Sequence, residues 1–206
     1  MNRIEIDLSA FDVPAHKSSL IFEFVDPVWA WVQAACLQPP GEMQWEPQMQ
    51  YMRGFPQHLC YGGGLQYGEA FAAATKTCPP GTHPMCVSLH WDGTNAHGQS
   101  STPITIGVAN TNSVSSTTQF CIGYIPIISD LGSAFASSAT EIKYHIRNKA
   151  IAAILRVLET NARTGVRCRL PSTGGAYEEF FLMPRLFSMN LDQPESQLYF
   201  GMLNRT

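Results

Sequence analysis

Charge is scarce in this chain. Only 14% of its 206 residues are Asp, Glu, Lys or Arg, against about a quarter in an average soluble domain. Thirteen basic and sixteen acidic side chains leave a net charge of −3, so no global positive field announces a polyanionic partner. A local basic groove is still compatible with that balance. No run of residues approaches the ~20 apolar positions of a membrane span. The opening stretch MNRIEIDLSAFDVP lacks an apolar signal core. Paired metal-ligand cysteines are also lacking: Cys36, Cys60, Cys78, Cys86, Cys121 and Cys168 are scattered, with no Cys-x-x-Cys. These absences predict reduced, mostly buried thiols in an intracellular protein, nuclear or cytoplasmic, with no membrane partner. Gly62-Gly63-Gly64 has neither the lysine nor the spacing of a phosphate cradle and reads as a flexible joint.

What the chain does have is 45% apolar residues, enough for a real core. It divides near residue 80. Residues 1–80 read as an irregular, aromatic and Pro/Gly-rich part with short helices. DPVWAWVQAACLQPPG predicts one helix, with Asp26 as N-cap, Pro27 in the first turn and Pro39-Pro40-Gly41 as the stop. GEAFAAATKTC predicts a second, closed by Pro79-Pro80-Gly81. Such sparse periodic segments predict docking on the rest of the chain through Trp and Phe, without an independent core.

Residues 81–206 are far more regular. Met85, Val87, Leu89 and Trp91 alternate with Cys86, Ser88, His90 and Asp92, which predicts a strand over 85–91 that ends in a carboxylate. TPITIGVAN and QFCIGYIPI predict two more, with Ile104, Ile106 and Val108 on one face of the former and Phe120, Ile122 and Tyr124 on one face of the latter. Short Ser/Thr/Asn/Gly connections suit an antiparallel meander. The small residues Gly107, Ala109, Cys121 and Gly123 predict close approach of a helix. From about 139 to 162 Ile142, Ile146, Ala150, Ala153, Ile154, Val157 and Leu158 recur at helical spacing, with Thr164-Gly165 as the stop. A fourth strand is predicted over 180–191, with a bulge or edge at Pro184. It too leads to an aspartate, Asp192, and then to a helix start at Pro194-Glu195.

Strand, strand, strand, helix, strand, helix is the order of a ribonuclease-H-like α/β sheet. In that sheet three antiparallel strands are followed by a crossover helix and a fourth, parallel strand beside the first. Asp92 and Asp192 would then be neighbours. Adjacent carboxylates repel unless a cation lies between them. Hard oxygen ligands select Mg²⁺ or Mn²⁺, and a pair of such ions supports phosphodiester cleavage and transfer. The competing reading of Asp92-Gly93 is a plain turn dipeptide.

TCPPGTHPMCVSLHWDGTNAHGQSSTPITIGVANTN, with FCIGYIPI after it, resembles the core of the Plavaka-type and related Kyakuja–Dileera–Zisupton-type eukaryotic DNA transposases. FFLMPRLFSMNLDQPES resembles their later Pro-x-Leu…Asp-x-Pro-Glu block, and DPVWAWVQAAC their Asp-Pro helix. The resemblance runs in order from about Asp26 to the C-terminus. It implies metal-dependent strand cleavage and transfer, DNA (transposon ends and target) as partner, a homo-oligomer as a further candidate, and Asp92 and Asp192 as the first two acids of a DDE triad. Asn110 and Glu195 also match family positions, and here they read as turn and helix-start residues. The family's third acid lies further downstream than Thr206, and its N-terminal zinc-binding region is not represented. The expectation is therefore a fragment, with a ribonuclease-H-like domain and two-metal site incomplete at the C-terminus, not expected to catalyse strand transfer alone. A non-catalytic remnant, or an unrelated α/β domain that binds DNA or protein, are the other readings.

Other side chains have blander roles beside the chemical ones. His83, Cys86, His90 and His97 fit no standard zinc finger, and strand geometry sends His83 and Cys86 to opposite faces. No third group orients a Cys–His nucleophile pair. Trp29, Trp31, Trp45 and Tyr51 suit packing better than base stacking. Arg163, Arg167, Arg169 and Arg185 are candidate phosphate contacts, or a solvated rim.

Overall fold

The computed structural model describes residues 1–39, 41–48, 68–91, 94–96, 99–111, 119–126, 138–172 and 175–190. The strands are β1 (Asn2–Asp7), β2 (Ser19–Phe24), β3 (His83–Trp91), β4 (Thr94–Ala96), β5 (Gln99–Val108), β6 (Gln119–Ile125), β7 (Val166–Pro171) and β8 (Tyr177–Asn190). The α-helices are α1 (Pro27–Cys36), α2 (Glu69–Lys76) and α3 (Ala139–Thr164). The strands form one mixed α/β sheet in the order β1-β2-β6-β5-β3-β8-β7, with β4 paired to β5. All pairs are antiparallel except β3 with β8, which α3 makes possible by carrying the chain across the sheet.

The expected helices form for the expected reasons. Asp26 Oδ1 accepts from the Val28 and Trp29 amides at 2.8 and 3.1 Å, satisfying two orphan donors at the start of α1. Along α3 the buried stripe is Ile142, Ile146, Ala150, Ile151, Ile154 and Leu158. The helix stops at Gly165, whose φ of 73° suits glycine alone among common residues. A Cβ there would also run into the Phe181 ring.

One large core lies on the α1/α3 face of the sheet. The β3 face of Met85, Val87, Leu89 and Trp91 packs with Ile104, Ile106 and Val108 of β5 under α1 and α3. Phe71 of α2 is fully buried and meets Phe187 of β8, with ring centroids 6.2 Å apart. It joins Cys86 and Arg185 on the opposite face of the sheet.

Three expectations are corrected, and one strand is added. Residues 1–80 are not simply irregular and short-helical: β1 and β2 form a hairpin that adds to the sheet, and Ile6, Leu8, Phe22, Phe24 and Trp31 belong to the shared core. The alternation of Arg3, Glu5 and Asp7 with Ile4 and Ile6 is the cause. Next, β7 is a strand where the sequence alone assigns no element, with Val166, Cys168 and Leu170 inward and Arg167 and Arg169 outward. Third, Tyr124 is 59% exposed while Ile125 is buried, because a register shift between Ile104 and Thr105 breaks the alternation of β6 at Ile122. Finally, Gly123 admits β2 rather than a helix: its Cβ would lie 3.1 Å from Glu23 O and 3.2 Å from Phe24 Cβ.

Candidate functional site

The candidate site is where β3 and β8 end side by side. Asp92 and Asp192 themselves lie outside the described residues, as do Cys60, Tyr51, Gly62-Gly63-Gly64, His97 and Pro194-Glu195. The strands that lead to the two acids are described. In their parallel ladder Cys86 pairs with Arg185 and Val87 with Leu186, then the register shifts, and Ser88 pairs with Ser188, Leu89 with Met189 and His90 with Asn190. Phe187 is the extra residue. A bulge of this kind changes which residues of a strand share a face. Before it, Leu182 and Leu186 are in step with Val87 on the α1/α3 face; after it, Ser188 and Asn190 are in step with Ser88 and His90 on the other. Positions 92 and 192 are the next numbers in those two alternations.

The β3–β4–β5 ladder bears on the turn reading of Asp92-Gly93. Trp91 pairs with Ile104, and Thr94 pairs with Ser101, three positions on along one strand and three back along the other. The register is therefore the same on both sides of the Asp92-Gly93 interval. Ala96 pairs with Gln99 at the far end of the β4–β5 ladder.

Around the strand ends the described groups are few and mostly neutral. His90 is half-buried and its carbonyl accepts weakly from Thr105 Oγ1 at 3.4 Å. Trp91 is fully buried on the opposite face. Among the described residues no three His, Cys, Asp or Glu side chains are grouped to hold a metal ion. A cation at these strand ends would depend on the two aspartates.

At the other end of β3 lies a buried polar hub that the sequence hinted at only through Asn110. Asn110 is 1% exposed. Its Oδ1 accepts from the Cys86 amide at 2.5 Å, and its Nδ2 donates to Pro84 O at 2.8 Å and Gln44 O at 3.1 Å. The Gln44 amide donates back to Asn110 O at 2.8 Å. Trp31 Nε1 donates to Cys86 O at 2.9 Å, tying α1 to the same strand. Trp45 then stacks on Phe180 at 4.8 Å and approaches His83 at 5.7 Å. Asn110 fastens the segment around Gln44 to β3, a positional role in line with its reading as a turn residue.

The four arginines do not make one basic surface. Arg163 is paired with Glu159 on α3. Arg167 lies over the Phe181 ring, 5.4 Å from its centroid, and Arg169 is opposite Glu179 in the β7–β8 ladder. Arg185 is half-buried and donates to Pro184 O at 3.0 Å. Arg167, Arg169, Glu179 and Phe181 line an open groove of about 580 Å³. Glu159 offsets the charge of Arg163, which favours the solvated-rim reading for that residue. The Trp residues pack: Trp31 is fully buried, Trp45 is stacked, and half-exposed Trp29 meets Phe120 edge-on at 6.0 Å.

No described helix is long and apolar enough to cross a membrane. Compared with protein-family models, curated proteins and solved structures, the chain matches none.

Proposed function

We propose that this chain is part of a ribonuclease-H-like nucleotidyl-transfer core of the DDE transposase kind, in which Asp92 and Asp192 hold Mg²⁺ or Mn²⁺. The observation that carries the reading is the bulge at Phe187. Without it, β8 would run out of phase with β3 and consecutive acids would face opposite sides of the sheet. With it, Ser88, His90, Ser188 and Asn190 are in step, and each aspartate is two residues further on. Neighbouring parallel strands are about 4.8 Å apart, and two residues of chain span at most about 7 Å. The strand order β6-β5-β3-β8, with β3–β8 parallel and α3 as the crossover, is further support. So is the matching register of the β3–β5 and β4–β5 pairs on either side of positions 92 and 93.

Two carboxylates on one face are hard, anionic ligands, and the serines beside them are also oxygen donors. A bound divalent ion would polarise a phosphodiester and lower the pKa of an attacking water or 3′-hydroxyl. The role of this chain's residues is to fix the two carboxylates on rigid strand ends so that their repulsion is relieved only by a cation. Two ligands make a weak site, and DNA strand transfer by this chain alone is not part of the proposal.

The test is a Mn²⁺ titration followed by water-proton relaxation. The wild type should bind weakly, and Asp92→Asn and Asp192→Asn should each lose at least about tenfold in affinity, a change of ~1.4 kcal/mol. Their thermal unfolding without metal should be unchanged or slightly raised, since a like charge is gone. Equal Mn²⁺ affinity in all three proteins refutes the site.

A further inference from the structure

We propose that β1 is a joint through which two copies of this chain extend one continuous sheet. β1 is the terminal strand of the ladder among the described residues. Among the described residues no strand pairs with its outer edge, and that edge has a defined polarity. The β1–β2 register pairs Asn2 with Phe24 through Asp7 with Ser19, and the next step, Leu8 with Ser18, is closed by an amide-to-carbonyl bond of 2.7 Å. Hydrogen-bonded and non-bonded pairs alternate in an antiparallel ladder. Asn2, Ile4 and Ile6 therefore bond to β2, while Arg3, Glu5 and Asp7 turn their amides and carbonyls to the open edge. Two bonds confirm this phase. His145 reaches Asp7 O from outside the hairpin at 3.0 Å, and Val25, in step with Glu23, bonds away from β1 to Ile122 O at 2.7 Å.

The occupant follows from charge and phase together. A second β1, antiparallel, must match outward residues with outward residues. Centring the two-fold axis on Ile4 does so. It sets Arg3 opposite the partner's Glu5 and Glu5 opposite the partner's Arg3, two opposite-charge pairs at hydrogen-bonded positions. Ile4 meets the partner's Ile4 between them, covering a half-buried apolar side chain at the sheet edge. A shift of two residues one way sets Arg3 on the partner's Arg3, which repels; the other way sets Glu5 on the partner's Glu5 between two Arg3–Asp7 pairs, but calls on the Asp7 carbonyl that His145 already holds. Edge charges usually discourage pairing; here their order selects one register. The joint is isologous, so it closes as a dimer. A six-residue strand buries less than the roughly 800 Å² per partner of a standard interface, so the dimer is weak, with a Kd of about 10–500 µM.

The test is sedimentation equilibrium of the full chain over a concentration series. Wild type should show a concentration-dependent dimer. Arg3→Glu and Glu5→Arg should each weaken it at least about tenfold, and an equimolar mixture of those two variants should restore it, because each then supplies the charge the other lacks. Glu5→Pro deletes an amide that β2 does not use and should be monomeric while remaining folded by circular dichroism. Wild type that stays monomeric up to about 1 mM, charge reversals that leave the dimer intact, or a mixture no better than either variant alone each overturns the joint.

Discussion

Replacing Asn110 with alanine separates a positional residue from a catalytic one. The side chain serves three partners, and two of them, the Cys86 amide and the Pro84 carbonyl, are buried with it. Alanine leaves both unmatched, at about 1–3 kcal/mol each. The part-buried bond to Gln44 O adds about 0.5–1.5 kcal/mol. The expected loss is about 2.5–7.5 kcal/mol, a large share of the ~5–15 kcal/mol that holds a typical domain together. Asn110→Asp should be no better, because a carboxylate has no N–H for Pro84 O and Gln44 O and would be a buried charge. Urea unfolding followed by tryptophan fluorescence reads the midpoint and slope. The Asn110→Ala midpoint should fall with little change in slope. Mn²⁺ affinity under native conditions should be unaffected, since six residues of strand, about 20 Å, separate Cys86 from Asp92. A loss below about 1 kcal/mol, or lost Mn²⁺ binding in a protein that is still folded, refutes the argument.

Two further outcomes are expected. Gly165 and Gly175 share nearly the same φ, 73° and 75°, but a Cβ on Gly165 meets Phe181 and Met183 while one on Gly175 meets nothing within 4 Å. Gly165→Ala should therefore cost about 2–5 kcal/mol and Gly175→Ala about 1–2 kcal/mol in chemical denaturation; equal losses would show that the crowding is not felt. Burial, then the neighbouring Cys36, pushes the Cys168 thiol up to about 11, and burial pushes the Cys86 thiol up as well. Folded-state values above the ordinary ~8.5 mean that this stability is intact below about pH 8.5 and is lost as pH rises towards 11. Tm measured across that window should fall, and less steeply for Cys168→Ala; parallel curves would contradict it.

The parts of the fold that could be read in advance share one property: their pattern is decided within a single segment. Asp26-Pro27 starts α1 and Thr164-Gly165 ends α3 through bonds spanning a few residues. The alternation of Met85 to Trp91 needs only a core on one side. The misread elements depend on distant partners. β2 joins β6 at Phe24 and Gly123, almost a hundred residues apart, so NRIEID and SLIFEF carried a period of two with no visible sheet to join. VRCRLP had the same period, but its arginines drew attention to charge instead. Pro184 hinted at a break in β8, yet it lies in the ladder with Met85, just past the last β7 pair at Leu182, where only one side of β8 is bonded. The break falls three residues later at Phe187. Phe187 meets Phe71 of α2 from the opposite layer, a distant partner that no local pattern encodes. For the proposed site, the two strands that lead towards the acids were legible; the bulge at Phe187 that sets the phase between those strands was not.

That phase also bears on how a third metal ligand could reach the proposed site. β5 lies along β3, but antiparallel β7 covers β8 only from Tyr177 to Leu182. Among the described residues the β8 edge from Met183 to Asn190, the half nearer the proposed site, has no strand beside it. A fifth strand could pair there and leave β7 in place, with its buried Leu170 and the bond from the Cys36 thiol of α1 to Arg169 O at 3.8 Å. A further carboxylate on such a strand, or on a helix or loop over the strand ends, would complete the proposed metal site from the face that carries Ser88 and Ser188, since α1 and α3 fill the other.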